Sequence, residues 1–389
     1  MRVLCTCVPG HGHFHPMVPI ARALKARGHE VAFATAERFC PRVAQAGFQA
    51  FPAGLAPGPM VERTLALPGV AAPGPEDAGR FGAQMFAAVA GPAKVPDLVA
   101  VVADWKPHLL VHDVTDFAGP VAAARAGIPC AAHSLGPMFP IDLYRLGAKL
   151  MAPVWRETAA TPGPYGGMFG TVYLDICPPS LQSPDLRATG AVVRPLQPVP
   201  FDAVGGESLP AWVDRPADRP TVYVTLGTVD NDAPGVTEAA VEGLRDEPLT
   251  VIASVGPNRD PAELGPQPDN VHVERYVPQS LMLPHCDAVV THGGSGTMLA
   301  ALAHGLPLLL LPQGANQFWN ADRCAALGVG VRLVPGEVDA GSVRRAVRAL
   351  LQQTGFRARA GDIAAEIERM PPPSAVAGTL EALVAGAGS

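Results

Sequence analysis

The chain has 389 residues, more than one ordinary hydrophobic core organises, so two domains are expected. Apolar residues make up 48% and charged residues 16%, a balance that supports a large core and excludes a disordered chain. A formal charge of -6 argues against capture by a nucleic-acid backbone or an anionic membrane.

Seven scattered cysteines, mostly in apolar runs, read as reduced buried thiols. The N-terminus leads directly into a strand, without a charged leader or a cleavage site. No apolar stretch of membrane-spanning length is evident by inspection, so a soluble cytoplasmic protein is expected.

In chain order, "RVLCTCV" (2–8) reads as a buried strand. "PMVPIARALKARG" (16–28) has helical spacing, with Pro16 suited to a first turn and Gly28 to a stop. "HEVAFATA" (29–36) is a second strand. This β-loop-α-β order implies a parallel sheet covered by helices. "HLLVHDV" (108–114) and "IPCAAHS" (128–134) are further strands around the helix-like "GPVAAARAG". Residues 52–80 and 160–170 are rich in Gly and Pro and are expected as loops. Residues 142–155 form an apolar helix that suits either a core or a pocket wall.

The Pro/Gly-rich segment around 192–212 reads as a linker. Strand-like runs then recur at 221–227, 249–256, 271–277, 287–294, 306–314 and 329–334, alternating with helical segments. A last long helix at 356–370 precedes a Pro cluster and a short tail helix. The expected divisions are an N-terminal domain at 1–195, a linker at 196–212, a C-terminal domain at 213–370 and a tail at 371–389 packing back on the first domain. Neither domain has GxGxxG after its first strand, which counts against a nicotinamide or flavin enzyme.

Open parallel sheets bind ligands at the carboxyl ends of their strands, and three loops there carry unusual residues. "THGGSGTM" (291–298) joins a strand to a helix. Its glycines, the helix N-terminus, Ser295, Thr297 and His292 together make a cradle for a phosphate or diphosphate. "PQGANQFWN" (312–320) clusters the amides Gln313, Asn316, Gln317 and Asn320, which suit hydroxyl groups or cap a helix. "PGHGHFHP" (9–16) carries His11, His13 and His15. A metal site is disfavoured, because HExxH, CxxC and a nearby carboxylate cluster are all missing. A histidine base needs a carboxylate to hold its tautomer, and Asp113 ends a strand at the same sheet edge, where it could pair with His13. His11 is left as an acceptor contact or substitute base, and His15 as a residue shaping the helix start.

"GHFHP", "HD" and the block from Tyr276 to Ala321 resemble family 1 glycosyltransferases of the GT-B fold. The likeness is strongest to actinobacterial enzymes that glycosylate polyketide, enediyne or macrolide antibiotics. The resemblance implies an α/β fold of two facing Rossmann-like, doubly wound parallel-sheet domains with an interdomain cleft. It also implies an inverting hexosyltransferase of secondary metabolism (EC 2.4) that needs no metal and no cofactor. The donor would be a nucleotide diphosphate sugar, TDP before UDP, and the acceptor a hydroxyl-type group of an apolar natural-product aglycone.

Carried over residue by residue, His13 of the GHxxP motif is the base and Asp113 its supporting aspartate. Val277 meets the nucleotide base and Gln279 lies near the ribose. His292, Gly294, Ser295, Gly296, Thr297 and Thr228 hold the diphosphate, while Asn316 and Gln317 read the sugar. Many relatives have Asp-Gln where this chain has Asn316-Gln317, which suggests a deoxygenated or otherwise modified sugar. The implied partners are small molecules, with neither nucleic acid nor membrane, and a homodimer is left open. A GT-B sugar-nucleotide epimerase and a non-catalytic activator of a partner transferase are the competing readings.

Overall fold

A computed structural model describes residues 1–74, 77–158, 160–202, 208–210, 213, 219–227, 235–256 and 259–387. The chain divides into two compact units. One comprises Met1–Pro178, Gln182–Val199 and Met370–Ser389, the other Pro179–Leu181 and Pro200–Arg369.

The first unit is built on β1 (Arg2–Thr6), β2 (Glu30–Thr35), β3 (Gln49–Pro52), β4 (Leu109–Asp113), β5 (Cys130–His133), β6 (Val172–Asp175) and β7 (Val193–Pro195). They lie in the order β3-β2-β1-β4-β5-β6-β7, and every pairing is parallel. Both faces of the central strands are covered, so β4 and β5 are buried at every position rather than alternating. One face carries Leu4, Ala34, Leu110, Ala132 and Tyr173 into a core with Leu98, Phe117, Val121, Tyr144 and Met151 from the helices.

The helix Val18–Ala26 buries Val18, Ile20, Ala21 and Leu24. The C-terminal helix Pro373–Ala387 packs on it. Arg27 clamps Glu381 with two hydrogen bonds of 2.7 and 2.6 Å, and His29 Nε2 lies 2.7 Å from the same carboxylate.

The second unit holds β8 (Thr221–Thr225), β9 (Thr250–Ser254), β10 (Val271–Glu274), β11 (Ala288–Thr291), β12 (Leu308–Leu310) and β13 (Gly330–Arg332). Their order is β10-β9-β8-β11-β12-β13, again wholly parallel. Both sheets therefore reverse strand order beside their first strand. A crevice for ligands opens at the carboxyl ends of the strands at such a switch point.

Two expectations need correction. The stretch 52–80 is not all loop, since Pro57–Leu65 is helical. Its prolines fall in the first turn, where a missing N–H costs no hydrogen bond. The continuous helical run Ala78–Trp105 is also long and apolar enough to cross a membrane by length and composition. Gly91, Pro92, Lys94 and Pro96 disguise it as shorter pieces in the sequence. Here Ala87, Val95, Leu98 and Val102 are buried in the core of the first unit. The helix Ile141–Trp155 likewise turns Tyr144, Met151 and Trp155 inward as core. All seven cysteines are free, and all but Cys40 are buried.

Candidate active site

In the first unit, β1 and β4 flank the switch point. The chain leaving β1 forms the short helix His11–Phe14, which turns His13 toward the end of β4. His13 Nδ1 lies 3.5 Å from Asp113 Oδ1, beyond the ordinary range of an N–H···O hydrogen bond. Thr115 stands between them. Its Oγ1 is 2.5 Å from Asp113 Oδ1 and 3.1 Å from His13 Nδ1.

Asp113 is fully buried and also accepts from Val8 N at 3.0 Å and Thr115 N at 2.6 Å. Burial alone would push its carboxyl up. The charge of the adjacent His13 and the hydrogen bonds from Thr115 outweigh that and hold it low, at about 2. The His13 ring is partly exposed, and the Phe86 ring meets it edge-on at 5.8 Å. A histidine so held can accept a proton from a bound hydroxyl while apolar surface lies beside it.

The other two histidines are occupied with each other. His11 Nδ1 and His15 Nε2 are 3.0 Å apart, and His11 also packs edge-on against Phe39. Burial lowers both, with His11 and Arg42 adding to the effect on His15, which falls to about 4. Among the described residues, no group of three or more His, Cys, Asp or Glu side chains is arranged to hold a metal ion.

Three residues at this edge escaped the reading of the sequence. Thr115 is one. The other two form a buried ion pair, Lys94 Nζ to Asp116 Oδ2 at 2.6 Å. Lys94 also donates to the carbonyls of Cys7 and Ala34 at 2.8 and 3.2 Å, and Asp116 accepts from Thr6 Oγ1 at 2.6 Å and Ala118 N at 3.1 Å. The pair thus ties the loops after β1 and β4 to the end of β2. The signal available was "DVTD" directly after a strand, two carboxylates and a hydroxyl within four residues. The partner Lys94 is 22 residues away in sequence. Further along the edge, burial raises Asp175 to about 6 despite hydrogen bonds from Gln182, Cys177 N and Ser134. The buried His133 Nε2 and Tyr144 hydroxyl have no hydrogen-bond partner among the described residues.

In the second unit, β8 and β11 flank the corresponding point. The helix Ser295–Ala303 starts there with Gly294 as its N-cap and no side chain capping it. Its first N–H groups are therefore open to an anion. His292 packs so closely over this turn that a Cβ on Gly294 would lie 2.4 Å from its Nε2, and one on Gly227 would lie 2.7 Å from its Cε1. Its ring Nδ1 is 3.2 Å from Thr291 Oγ1. Burial lowers His292 to about 4, so it meets an anion as a neutral imidazole.

Ser295 Oγ accepts from Asn316 Nδ2 at 2.9 Å and Asn320 Nδ2 at 3.1 Å. Both contacts use the oxygen as acceptor, which leaves its proton for a ligand. Gln317 is buried, and its Oε1 accepts from Gln313 N at 2.7 Å and Gly314 N at 3.1 Å. Of the two residues expected to read the sugar, Gln317 thus commits its carbonyl to its own loop, and Asn316 its amide nitrogen to Ser295. That loop also holds Ala315 at φ 49°, a conformation costly for a non-glycine residue.

Gly296 is exposed and Thr297 buried in the first turn of the helix. Val277 is buried at 2% exposure. Gln279 opens the helix Gln279–Met282, where Ser280 N and Oγ donate to Asp202 at 2.6 and 2.8 Å. Thr228 lies outside the described residues.

Comparison with known proteins gives the family and the fold. The erythromycin biosynthesis protein CIII-like family matches through its N-terminal domain at residues 79–227 and its C-terminal domain at residues 247–383. The chain belongs to this family of glycosyltransferases. The L-demethylnoviosyl transferase of Streptomyces niveus is 34% identical to this glycosyltransferase over 391 residues, 98% of each chain. The crystal structure of the glycosyltransferase SnogD from Streptomyces nogalater is 34% identical, with a TM-score of 0.78 over 99% of each chain. A spinosyn rhamnosyltransferase, SpnG, in complex with thymidine diphosphate is 28% identical, with a TM-score of 0.79 over 98% of this chain and 100% of its own. The two parallel-sheet units of the glycosyltransferase are those of the GT-B fold.

Proposed function

We propose that this glycosyltransferase moves a sugar, deoxygenated or otherwise modified, from a thymidine diphosphate donor to a hydroxyl-type group of an apolar natural product, with inversion and without a metal. The observation that carries the reading is His13, fixed at the β1/β4 switch point with its Nδ1 side turned toward a buried ionised carboxylate. Its other ring nitrogen is then the one that takes the acceptor proton as the new glycosidic bond forms.

The Phe86 ring beside His13 suits an apolar acceptor. On the donor side, the leaving diphosphate gains negative charge as the anomeric carbon loses it. The uncapped N-terminus at Ser295, the Ser295 hydroxyl and neutral His292 meet that charge with fixed dipoles, the role a divalent cation plays elsewhere. Complexes of relatives with thymidine diphosphate support that nucleotide. His13 and Asp113 are the catalytic residues of this reading. Gly294, Ser295, Gly296, Thr297 and His292 hold the diphosphate, and Val277 and Gln279 the nucleoside.

The test is product formation from a panel of thymidine and uridine diphosphate sugars with polyketide-type aglycones, with anomeric configuration read by NMR coupling. The expected result is a single inverted glycoside from a thymidine diphosphate sugar, unaffected by chelator. A changed sugar nucleotide appearing without any aglycone would instead establish an epimerase.

A further inference from the structure

We infer that Thr115 is a positioning residue, the hydrogen-bond link through which Asp113 keeps the His13 proton on Nδ1. The inference rests on the reading of His13 as the base. It begins with a count of protons. The Thr115 hydroxyl has one proton and two acceptors within reach, Asp113 Oδ1 at 2.5 Å and His13 Nδ1 at 3.1 Å. The carboxylate is the nearer of the two and carries the charge, so it takes the proton. Thr115 Oγ1 then faces His13 as an acceptor only, and His13 must donate from Nδ1. In the neutral ring this places the lone pair on Nε2, the nitrogen a general base uses.

Direct pairing cannot do the same work at 3.5 Å. Asp113 is moreover already engaged by Val8 N, Thr115 N and Thr115 Oγ1. The link is held rigidly. Thr115 is 5% exposed, and its neighbour Asp116 is anchored by Lys94, Thr6 and Ala118 N. The turn from β4 into the helix Ala118–Ala126 is closed by a hydrogen bond from Asp116 N to Asp113 O at 3.1 Å. Hydroxyl and carboxylate therefore sit on one short, buried turn, and the histidine comes to them from another strand.

The experiment is 15N NMR of imidazole-labelled full-length protein at a pH where His13 is neutral, with its resonances assigned by their loss in His13→Ala. The wild type is expected to show a protonated Nδ1 and a bare Nε2. Thr115→Val keeps the shape and removes the hydroxyl, and it should shift the ring toward the Nε2–H form. It should also lower kcat about 10- to 100-fold, part of the 10²–10⁴-fold a general base supplies, with aglycone KM and thymidine diphosphate affinity unchanged. Thr115→Ser should restore both. Thr115→Ala provides the same test without added bulk should the valine variant fold poorly.

An unchanged tautomer in the valine or alanine variant overturns the link, and so does equal damage from valine and serine. The two readings fail separately. Full turnover by His13→Ala removes the base and leaves the tautomer result standing. An inactive His13→Ala with an unmoved tautomer in the Thr115 variants keeps the base and removes the link.

Discussion

The two sheets share one strand order, yet their switch points carry opposite chemistry. At the β1/β4 point a partly exposed histidine faces an ionised, buried carboxylate through a hydroxyl. At the β8/β11 point a histidine lowered to about 4 stands over an uncapped helix N-terminus, with no carboxylate as its partner among the described residues. The topology supplies a crevice in both, and the residues at the strand ends decide what each can do. In the proposed reading one histidine takes up a proton, while the other stays neutral and serves as a dipole. The lesson is that a histidine's task here follows from its neighbours rather than from its place in the fold.

The sharpest way to break the comparison is to exchange the losses. His13→Ala should reduce turnover about 10²–10⁴-fold and leave thymidine diphosphate affinity intact. His292→Ala should chiefly weaken that affinity. Turnover assays paired with calorimetry on both variants would show the contrast, and matching profiles would abolish it.

Next in size is Lys94→Met, which strands Asp116 as a buried charge without its cation. It should cost about 3–5 kcal/mol in a denaturant titration, the scale for breaking one half of a buried pair. A third test concerns the space under His292. Gly294→Ala drives a methyl group into the ring and should weaken diphosphate binding through the roughly 1–3 kcal/mol typical of overpacking. Gly355→Ala, in the helix Thr354–Arg369 outside the cradle, meets nothing within 4 Å, should leave the packing undisturbed and serves as the control.

A pH series tests the neutral dipole. With His292 lowered to about 4, diphosphate affinity should not rise as pH falls from about 8 to 5.5. A rise of roughly tenfold per unit over that range would reveal an imidazolium instead. The smallest effect belongs to the tail. Hydrogen bonds from Arg27 and His29 hold Glu381 at about 2, below its ordinary range. Its contribution is therefore present above the ordinary carboxylate range and is lost as pH falls toward 2. Glu381→Gln should lower the melting temperature slightly at neutral pH and not at all in strong acid.

Much of this was legible in the sequence. The parallel-sheet units follow from apolar runs without alternation, spaced by helical segments. The turn from β11 into the helix Ser295–Ala303 follows from a strand-HGGSGT-helix order in which every residue concerned is local. The histidine loop was harder, because three histidines at alternate positions look equivalent in one dimension. Position and resemblance single out His13 with Asp113, and the structure supplies the geometry: the short helix His11–Phe14 pairs His11 with His15 and sends His13 across to β4. The amide cluster shows a division the sequence does not: Gln317 Oε1 holds its own loop and Asn316 Nδ2 holds Ser295, while the other half of each amide makes neither bond. A polar side chain does not announce in advance which of its neighbours will satisfy it.

The sequence by itself determined the fold class, the family and the position of the glycine-rich turn from strand to helix at 291–298, because periodicity and contiguous motifs are properties of neighbours along the chain. The tertiary structure alone decided that a threonine stands between His13 and Asp113, and that a buried lysine locks their turn. Those contacts join residues 22 to 102 positions apart. Their strength comes from burial and from directional hydrogen bonds, neither of which exists until the strands are brought side by side.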